Sequence, residues 1–388
     1  MKNMRRILFF HAGAELYGAD KILHILVAGL VRRGWVVLVV LPWNGELKCR
    51  LEEVGARVIV VNHGVLRRKY FNVFGLFDRL RKIVGSARSL AQFARENDIS
   101  IVHTNTSVVF AGALTARLAR IPHVWHIHEI TTRPRFVWRT LSWLIPRLAD
   151  RVVCVSSAVL SHLIAGNSAN AAKGQVLHNG IAPLVPCEGD RLRIRQELGL
   201  SDDDVLVGMV GRVNNWKGQM ALADAAEMVV AKYPNSRFLF VGGTFAGEEH
   251  LLADLRSRVQ KSCLAGSTTV LDFREDVPAI MSAIDVFVLP SIQPDPLPTV
   301  VLEAMSLSLP IVGFAHGGVC EMVADGETGL LVAPCDVNAM AAAIGELIAK
   351  PRLRTRFGEA GTERFMRLFS VNAFLDNFEA VYDNQTAR

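Results

Sequence analysis

Apolar residues gather in short dense runs, and between the runs they recur every three or four positions. The run at 7–10 (Ile-Leu-Phe-Phe) is too short for a helix and reads as a buried strand. Across 19–33, Ile22, Leu23, Leu26 and Leu30 keep helical spacing, and Gly34 closes the stretch. A second run at 36–41 ends in the turn Pro42, Trp43, Asn44, Gly45, and further runs follow at 57–61, 99–103, 123–127, 152–155 and 175–177. Helical segments lie between most of them, and this alternation predicts an α/β, doubly wound parallel sheet. The pattern breaks where Asn179, Gly180, Pro183, Pro186 and Gly189 crowd together. It restarts with strands at 205–210, 238–241, 270–273, 285–289 and 310–314, a helix at 216–232, and closing helices at 336–349, 351–368 and 371–384. The expectation is two tandem Rossmann-like domains facing a central cleft. They would cover 1–182 and 204–368, joined by a linker at 183–203, with a terminal helix at 369–388 packing back on the first domain.

A length of 388 residues fits two domains, and 51% hydrophobic content excludes a mainly disordered chain. The longest apolar run, 35–43, falls far short of the ~20 residues a membrane-spanning helix needs. The start of the chain has a charged opening and a short apolar stretch without a small-residue cleavage site, so a cytoplasmic location is expected. Six cysteines (49, 154, 187, 263, 320, 335) form no C-x-x-C pair, and they read as buried small apolar residues in a reducing compartment. The net charge of +6 conceals an asymmetry: residues 1–180 hold 25 Lys and Arg against 10 Asp and Glu, while 181–388 hold 18 against 27. A split of that size implies two domains with different partners.

In open parallel sheets, ligands bind at the carboxyl ends of the strands. After Val210 comes Gly211-Arg212-Val213-Asn214-Asn215-Trp216-Lys217-Gly218, opening a helix. An Arg and a Lys beside a helix N-terminus suit a diphosphate, although a surface Arg and Lys flanking a turn would read the same. After Leu289, a proline-rich loop carries Asp295 and runs into a helix starting near Thr299, with Glu303 on its second turn. As ionised acceptors the two carboxylates suit sugar hydroxyls; helix capping and a solvated helix face are the plain alternatives. After Phe314, adjacent Gly317 and Gly318 would let backbone amides approach a ligand.

From 207 to 334 these pieces, "VGMVGRVNNWKG", "DVFVLPS", "VVLEAM" and "LPIVGFAHGGVCEMVADGETGLLVAP", resemble the retaining nucleotide-sugar glycosyltransferases of the GT-B fold. The group is the large one, family 4, marked by two acidic residues separated by seven. The N-terminal half is similar more loosely, through "YGADKILHILVAGLVRRGW", "IVHTNTS", "VWHIHE", "VVCVSS" and "VLHNGI". The resemblance implies that Gly211, Arg212 and Lys217 meet the donor diphosphate, that Glu303 holds the ribose, and that Asp295 touches the transferred sugar. Gly317 and Gly318 would bring amides to sugar or phosphate, and Gly18 would mark a first loop near the phosphates. His128 would be the histidine near the donor sugar. Asp295 stands where the family usually has Glu, and Tyr17-Gly18 where many members have Gly-Gly. The implied reaction transfers a sugar from a nucleotide diphosphate sugar, the co-substrate, to a hydroxyl with retention, and requires no metal or bound cofactor. The catalytic set would be Arg212, Lys217, Asp295 and His128.

His103, Asn105 and His126 lie at strand ends, where they would face a saccharide or lipid-linked acceptor. Asp202-Asp203-Asp204 contains D-x-D but precedes a strand, far from the carboxyl ends, and reads as a solvated turn. Two basic, aromatic stretches, 66–82 and 133–143, suit an anionic membrane surface, with ordinary core-facing helices as the alternative. No nucleic-acid recognition module is present. A same-fold epimerase or an inactive sugar-nucleotide-binding subunit are the rival readings; an oxidoreductase would need a G-x-G-x-x-G after the first strand, which is missing.

Overall fold

A computed structural model describes residues 5–131, 134–165 and 172–387. The chain divides into two units, one built from residues up to Ile181 together with those from Val371 onward, the other from Ala182–Ser370. In the first unit the order is β1 (Arg6–His11), α1 (Gly18–Arg32), β2 (Val36–Leu41), α2 (Glu46–Glu53), β3 (Arg57–Val60), α3 (Val73–Glu96), β4 (Ile101–Asn105), α4 (Ala111–Ala119), β5 (His123–Ile127), α5 (Arg135–Leu148), β6 (Arg151–Cys154), α6 (Ser157–Ile164) and β7 (Gly174–Val176). In the second it is α7 (Asp190–Glu197), β8 (Val205–Val210), α8 (Gln219–Lys232), β9 (Ser236–Val241), α9 (Glu249–Gln260), β10 (Thr268–Leu271), α10 (Val277–Ala283), β11 (Val286–Leu289), α11 (Thr299–Ser306), β12 (Ile311–Phe314), α12 (Val319–Met322), β13 (Gly329–Val332), α13 (Val337–Ala349) and α14 (Pro351–Leu368). The last helix, α15 (Val371–Thr386), returns to the first unit.

Among the described residues, the first sheet runs β3-β2-β1-β4-β5-β6-β7 and the second β10-β9-β8-β11-β12-β13. Every pairing is parallel. Strands such as Val-Val-Leu-Val-Val-Leu in β2 are buried from their second residue on, as a sheet covered on both faces requires. The α/β fold class read from the sequence is what forms. In each sheet the strand order reverses once, between β1 and β4 and between β8 and β11. At such a reversal the connections diverge and leave a crevice at the carboxyl ends.

Helix α15 is held by both kinds of force. Phe374, Leu375, Phe378, Val381 and Tyr382 are buried, and each such side chain contributes about 1.5–3 kcal/mol by leaving water. On its polar side Glu379 accepts hydrogen bonds from Trp35 Nε1 at 2.8 Å and from Arg33 at 2.5 Å, and Asp383 lies 3.0 Å from Arg5. An acidic helix thus covers a basic unit.

The structure departs from the sequence reading in several places. The stretch expected as linker contains α7, which packs on α10 and anchors Arg191 and Arg195 to Asp285. Helix α8 starts at Gln219 rather than Trp216, because Gly218 takes a left-handed conformation (φ 83°) just before it. Strand β13 was not anticipated. Of the six cysteines, only Cys154 is buried and the rest are exposed. Asp204 is not a solvated turn residue: its carboxylate accepts from the backbone and hydroxyl of Ser201 and pairs with Arg237 at 3.0 Å, fastening the entry to β8.

Candidate active site

At the reversal point of the second sheet three loops interlock. The loop after β8 folds on Asn214, whose side-chain oxygen accepts from the amides of Trp216 at 3.1 Å and Lys217 at 2.9 Å. Gln219 holds the Arg212 carbonyl at 2.9 Å, and the Ile292 amide donates to the Trp216 carbonyl at 2.9 Å. A Cβ on Gly218 would stand 1.8 Å from the Pro290 carbonyl oxygen, so only glycine lets the first two loops meet. The third loop joins through His316, whose Nε2 donates to the Ser291 carbonyl at 2.5 Å, and through the Gly318 amide, which donates to the Asp295 carbonyl at 2.8 Å. Gly317 has φ 69°, and a Cβ there would lie 2.5 Å from the Asp295 carbonyl.

These contacts bring together the residues read from the sequence and change what some of them do. Lys217 Nζ hydrogen-bonds Asp295 Oδ2, with both side chains largely buried. The two were expected to serve diphosphate and sugar separately; here they form one ion pair. Asp295 does not cap α11, whose cap position is Pro298. Glu303 is half-buried on α11. The Gly318 amide, expected to face a ligand, is engaged by the Asp295 carbonyl. Arg212 stacks on Phe245, its guanidinium carbon 3.7 Å from the ring centre.

Sequence reading missed the neighbouring cavity of about 300 Å³, bordered by Gly211, Arg212, Gly242, Gly243, Phe273 and Arg274. The Gly242-Gly243 pair directly after β9 was the available signal. At Gly242 a Cβ would lie 2.0 Å from the Gly211 carbonyl oxygen, so the loops after β8 and β9 meet only because no side chain intervenes.

In the first unit, Gly18 is the first residue of α1 and is exposed. His128 follows β5, is half-buried, and donates from Nε2 to Asn105 Oδ1 at 2.8 Å. Burial, reinforced by nearby His11, pushes its pKa down to about 3, so the ring is neutral. His103 and His126 do not face outward. Both are completely buried, and their rings pack on Phe378 of α15 at 5.5 and 4.9 Å between centroids. His103 Nδ1 also hydrogen-bonds the Tyr382 hydroxyl at 2.8 Å. Both lie near the ends of β4 and β5, but the face they occupy is the one α15 covers. Among the described residues, no group of three or more His, Cys, Asp or Glu side chains could hold a metal ion.

Comparison with known proteins agrees with this architecture. The family model described as Glycosyltransferase Family 4 matches residues 17–183, and that described as Glycosyl transferases group 1 matches 190–364. The alpha-maltose-1-phosphate synthase of Mycolicibacterium smegmatis is 32% identical over 300 residues, covering 70% of this chain and 75% of that protein. The UDP-Gal:alpha-D-GlcNAc-diphosphoundecaprenol alpha-1,3-galactosyltransferase of Escherichia coli is 30% identical over 278 residues, covering 67% and 69%. Anabaena HepE in complex with UDP superposes with a TM-score of 0.84 at 25% identity, covering 98% of this chain and 100% of that one. On these grounds, with two family models spanning both units, the chain belongs to the GT-B-fold nucleotide-sugar glycosyltransferases of family 4 and is a glycosyltransferase.

Proposed function

We propose that this enzyme moves a glycosyl unit from a nucleotide diphosphate sugar to a saccharide or lipid-linked hydroxyl, with retention of configuration and without a metal, in assembly of a polysaccharide or glycolipid. The observation that carries the proposal is the Lys217–Asp295 pair among the interlocked loops that lead into α8, with Arg212 on the same loop as Lys217. As the bond from the anomeric carbon to the diphosphate oxygen breaks, its electron pair leaves on the diphosphate, and Arg212, Lys217 and the amides opening α8 stabilise that charge. The acceptor oxygen bonds to the anomeric carbon and its proton passes to the departing diphosphate. Lys217 must exchange part of its pairing with Asp295 for the phosphate, and this frees the carboxylate for a sugar hydroxyl. Glu303 serves the ribose and His128 the transferred sugar. Anabaena HepE forms complexes with UDP and with UDP-glucose, which makes a uridine nucleotide the first donor to test.

With His103 and His126 buried, a better acceptor site in the first unit is a cavity of about 300 Å³ beyond β1–β3, lined by Glu15, Trp43, Asn62, Arg67, Tyr70 and Arg79. Arg67 lies 4.5 Å over the Trp43 ring and Arg79 4.1 Å over Tyr70. Aromatic faces suit a sugar ring and guanidinium groups suit an attached phosphate.

The same unit exposes a band of apolar residues. Val73, Phe74, Phe77 and Leu80 lie on one face of α3, and Phe136 and Trp143 on α5. Arg67, Arg68, Arg81, Arg135 and Arg139 are exposed around them. Arg133, also expected here, lies outside the described residues. We assign this band to the anionic inner face of the cytoplasmic membrane, where a lipid-linked acceptor resides; no described helix is long and apolar enough to cross it.

The deciding assay is nucleotide diphosphate release with candidate donors, with and without acceptor, in the presence of a chelator. Acceptor-dependent release of an α-linked product supports the proposal. Release indifferent to acceptor, or activity only after metal is restored, overturns it.

A further inference from the structure

At the reversal point of the first sheet, β1 and β4 end side by side, with His11 and Asn105 as register partners. From there, four side chains form an unbroken line. His11 Nε2 meets Asp20 Oδ1 at 2.5 Å, Asn105 Nδ2 meets His11 Nδ1 at 3.0 Å, and His128 Nε2 meets Asn105 Oδ1 at 2.8 Å. His11, Asp20 and Asn105 are all buried. The backbone at Thr106, directly after Asn105, is held at φ 92°, a costly conformation for a β-branched residue. It persists because the Thr106 amide donates to the His126 carbonyl at 2.9 Å and its own carbonyl accepts from Trp125 Nε1 at 2.8 Å. The Asn105 side chain itself is held at both ends, by His11 and by His128.

The line has a direction. Asp20 is anchored in the first turn of α1, where Oδ2 accepts the Tyr17 amide at 2.8 Å, and a carboxylate can only accept. His11 must therefore carry a proton on Nε2, and its Nδ1, faced by the Asn105 side-chain nitrogen at 3.0 Å, accepts the Asn105 N–H. The Asn105 oxygen is then turned toward His128, which must donate from Nε2. We propose that Asp20, acting through His11 and Asn105, is a positioning residue that locks His128 as the Nε2–H tautomer and leaves its Nδ1 an acceptor only. His128 would thus receive a hydroxyl hydrogen from a sugar and could not donate to a phosphate. Its role toward the sugar rests on the function proposed above; the tautomer does not.

The test is the ¹⁵N spectrum of histidine rings in the full-length protein without substrate, with His128 assigned by its loss in His128→Gln. In the wild type, His128 is protonated on Nε2, as is His11. In Asp20→Asn the Tyr17 amide retains the side-chain oxygen, so an N–H now faces His11. His11 shifts its proton to Nδ1, the Asn105 amide turns over, and His128 is protonated on Nδ1 instead. With active donor and acceptor, kcat/KM falls by about tenfold, the scale of one hydrogen bond, while nucleotide diphosphate affinity stays within about twofold. Asn105→Asp gives an independent reading if Asp20→Asn does not fold: it makes His11 doubly protonated and leaves His128 on Nε2. His128 protonated on Nδ1 in the wild type, or unchanged in folded Asp20→Asn, overturns the proposal. Because the spectra need no turnover, failure of the transferase assay leaves this result standing, and the reverse.

Discussion

The two units share a parallel sheet with one reversal of strand order, yet they place opposite kinds of polarity at it. Nine of the eleven histidines lie in the first unit's part of the sequence. At its reversal point His103 and His126 are buried under α15, while His11 and His128 belong to a hydrogen-bonded line that starts at Asp20. The second unit sets charges there: Arg212 on an aromatic ring, and Lys217 paired with Asp295. It also braces its flank with surface ion pairs such as Arg274 with Glu197 at 2.6 Å and Arg193 with Asp276 at 3.3 Å. Burial disfavours charge, so a site enclosed by its own terminal helix keeps neutral groups, whereas a loop site at the surface can retain paired charges. One topology therefore holds buried histidines at one reversal point and paired charges at the other.

Acid should separate the units most widely. His63 and His123 are held near 4 by burial, below the ordinary 6.5 of a histidine. The unfolded chain binds more protons than the folded one between these values, so stability falls as pH drops from about 6.5 and the loss levels off near 4. Each group contributes about 1.4 kcal/mol per pH unit across that window. Hydrogen exchange read by peptide mass spectrometry should show protection lost first in the sheet of the first unit; an equal acid response in β8–β13 would erase the contrast.

Next in size is the charge cluster. Arg212→Ala and Lys217→Ala should each remove roughly 2–4 kcal/mol of transition-state stabilisation while the protein stays folded. Asp295→Asn, which releases Lys217, should reduce transfer but retain or strengthen binding of free nucleotide diphosphate, and Glu303→Gln should weaken that binding. Calorimetry with the nucleotide alone separates the two acidic residues, and equal losses would contradict the assigned roles.

Gly218→Ala tests whether the loops of the second unit depend on close approach. Positive φ together with the Pro290 carbonyl should cost about 2–3 kcal/mol, read as a lowered unfolding midpoint. The same change at Gly18, where a Cβ would meet nothing within 4 Å, should cost far less. Similar effects at the two glycines would show that the loops tolerate separation.

The smallest effect concerns the membrane face. Each Arg near an anionic surface contributes about 1 kcal/mol, so Arg135→Gln with Arg139→Gln should weaken vesicle binding, and high salt should reverse it. Phe74→Ser with Phe77→Ser should weaken binding even to vesicles already saturated with anionic lipid. Association with neutral and anionic vesicles alike, unmoved by either pair, would detach the band from lipid.

Much of the candidate site's position was legible because it follows strand ends. A run such as 205–210 announces β8, and whatever comes next in the chain stands at the carboxyl edge of a parallel sheet; that placed Arg212, Lys217, Asp295 and Glu303. His103 and His126 misled for the same reason. Their position at strand ends said nothing of Phe378 and Tyr382, which arrive from the far end of the chain. The cysteines misled differently: average burial of a residue type does not say which side of a helix or turn a given one occupies.

The sequence by itself determined the α/β class, the strand ends and the residues presented there, because hydrophobic periodicity and helix termini are properties of neighbouring residues. Only the tertiary structure decided that Lys217 pairs with Asp295, 78 positions away, that the line from Asp20 to His128 is continuous, and that the apolar residues opening α3 face outward while those further along it are buried. Such contacts depend on angles and distances that backbone pairing accumulates across a whole sheet. A hydrogen bond is made or lost within a few tenths of an ångström, finer than any spacing rule along the chain.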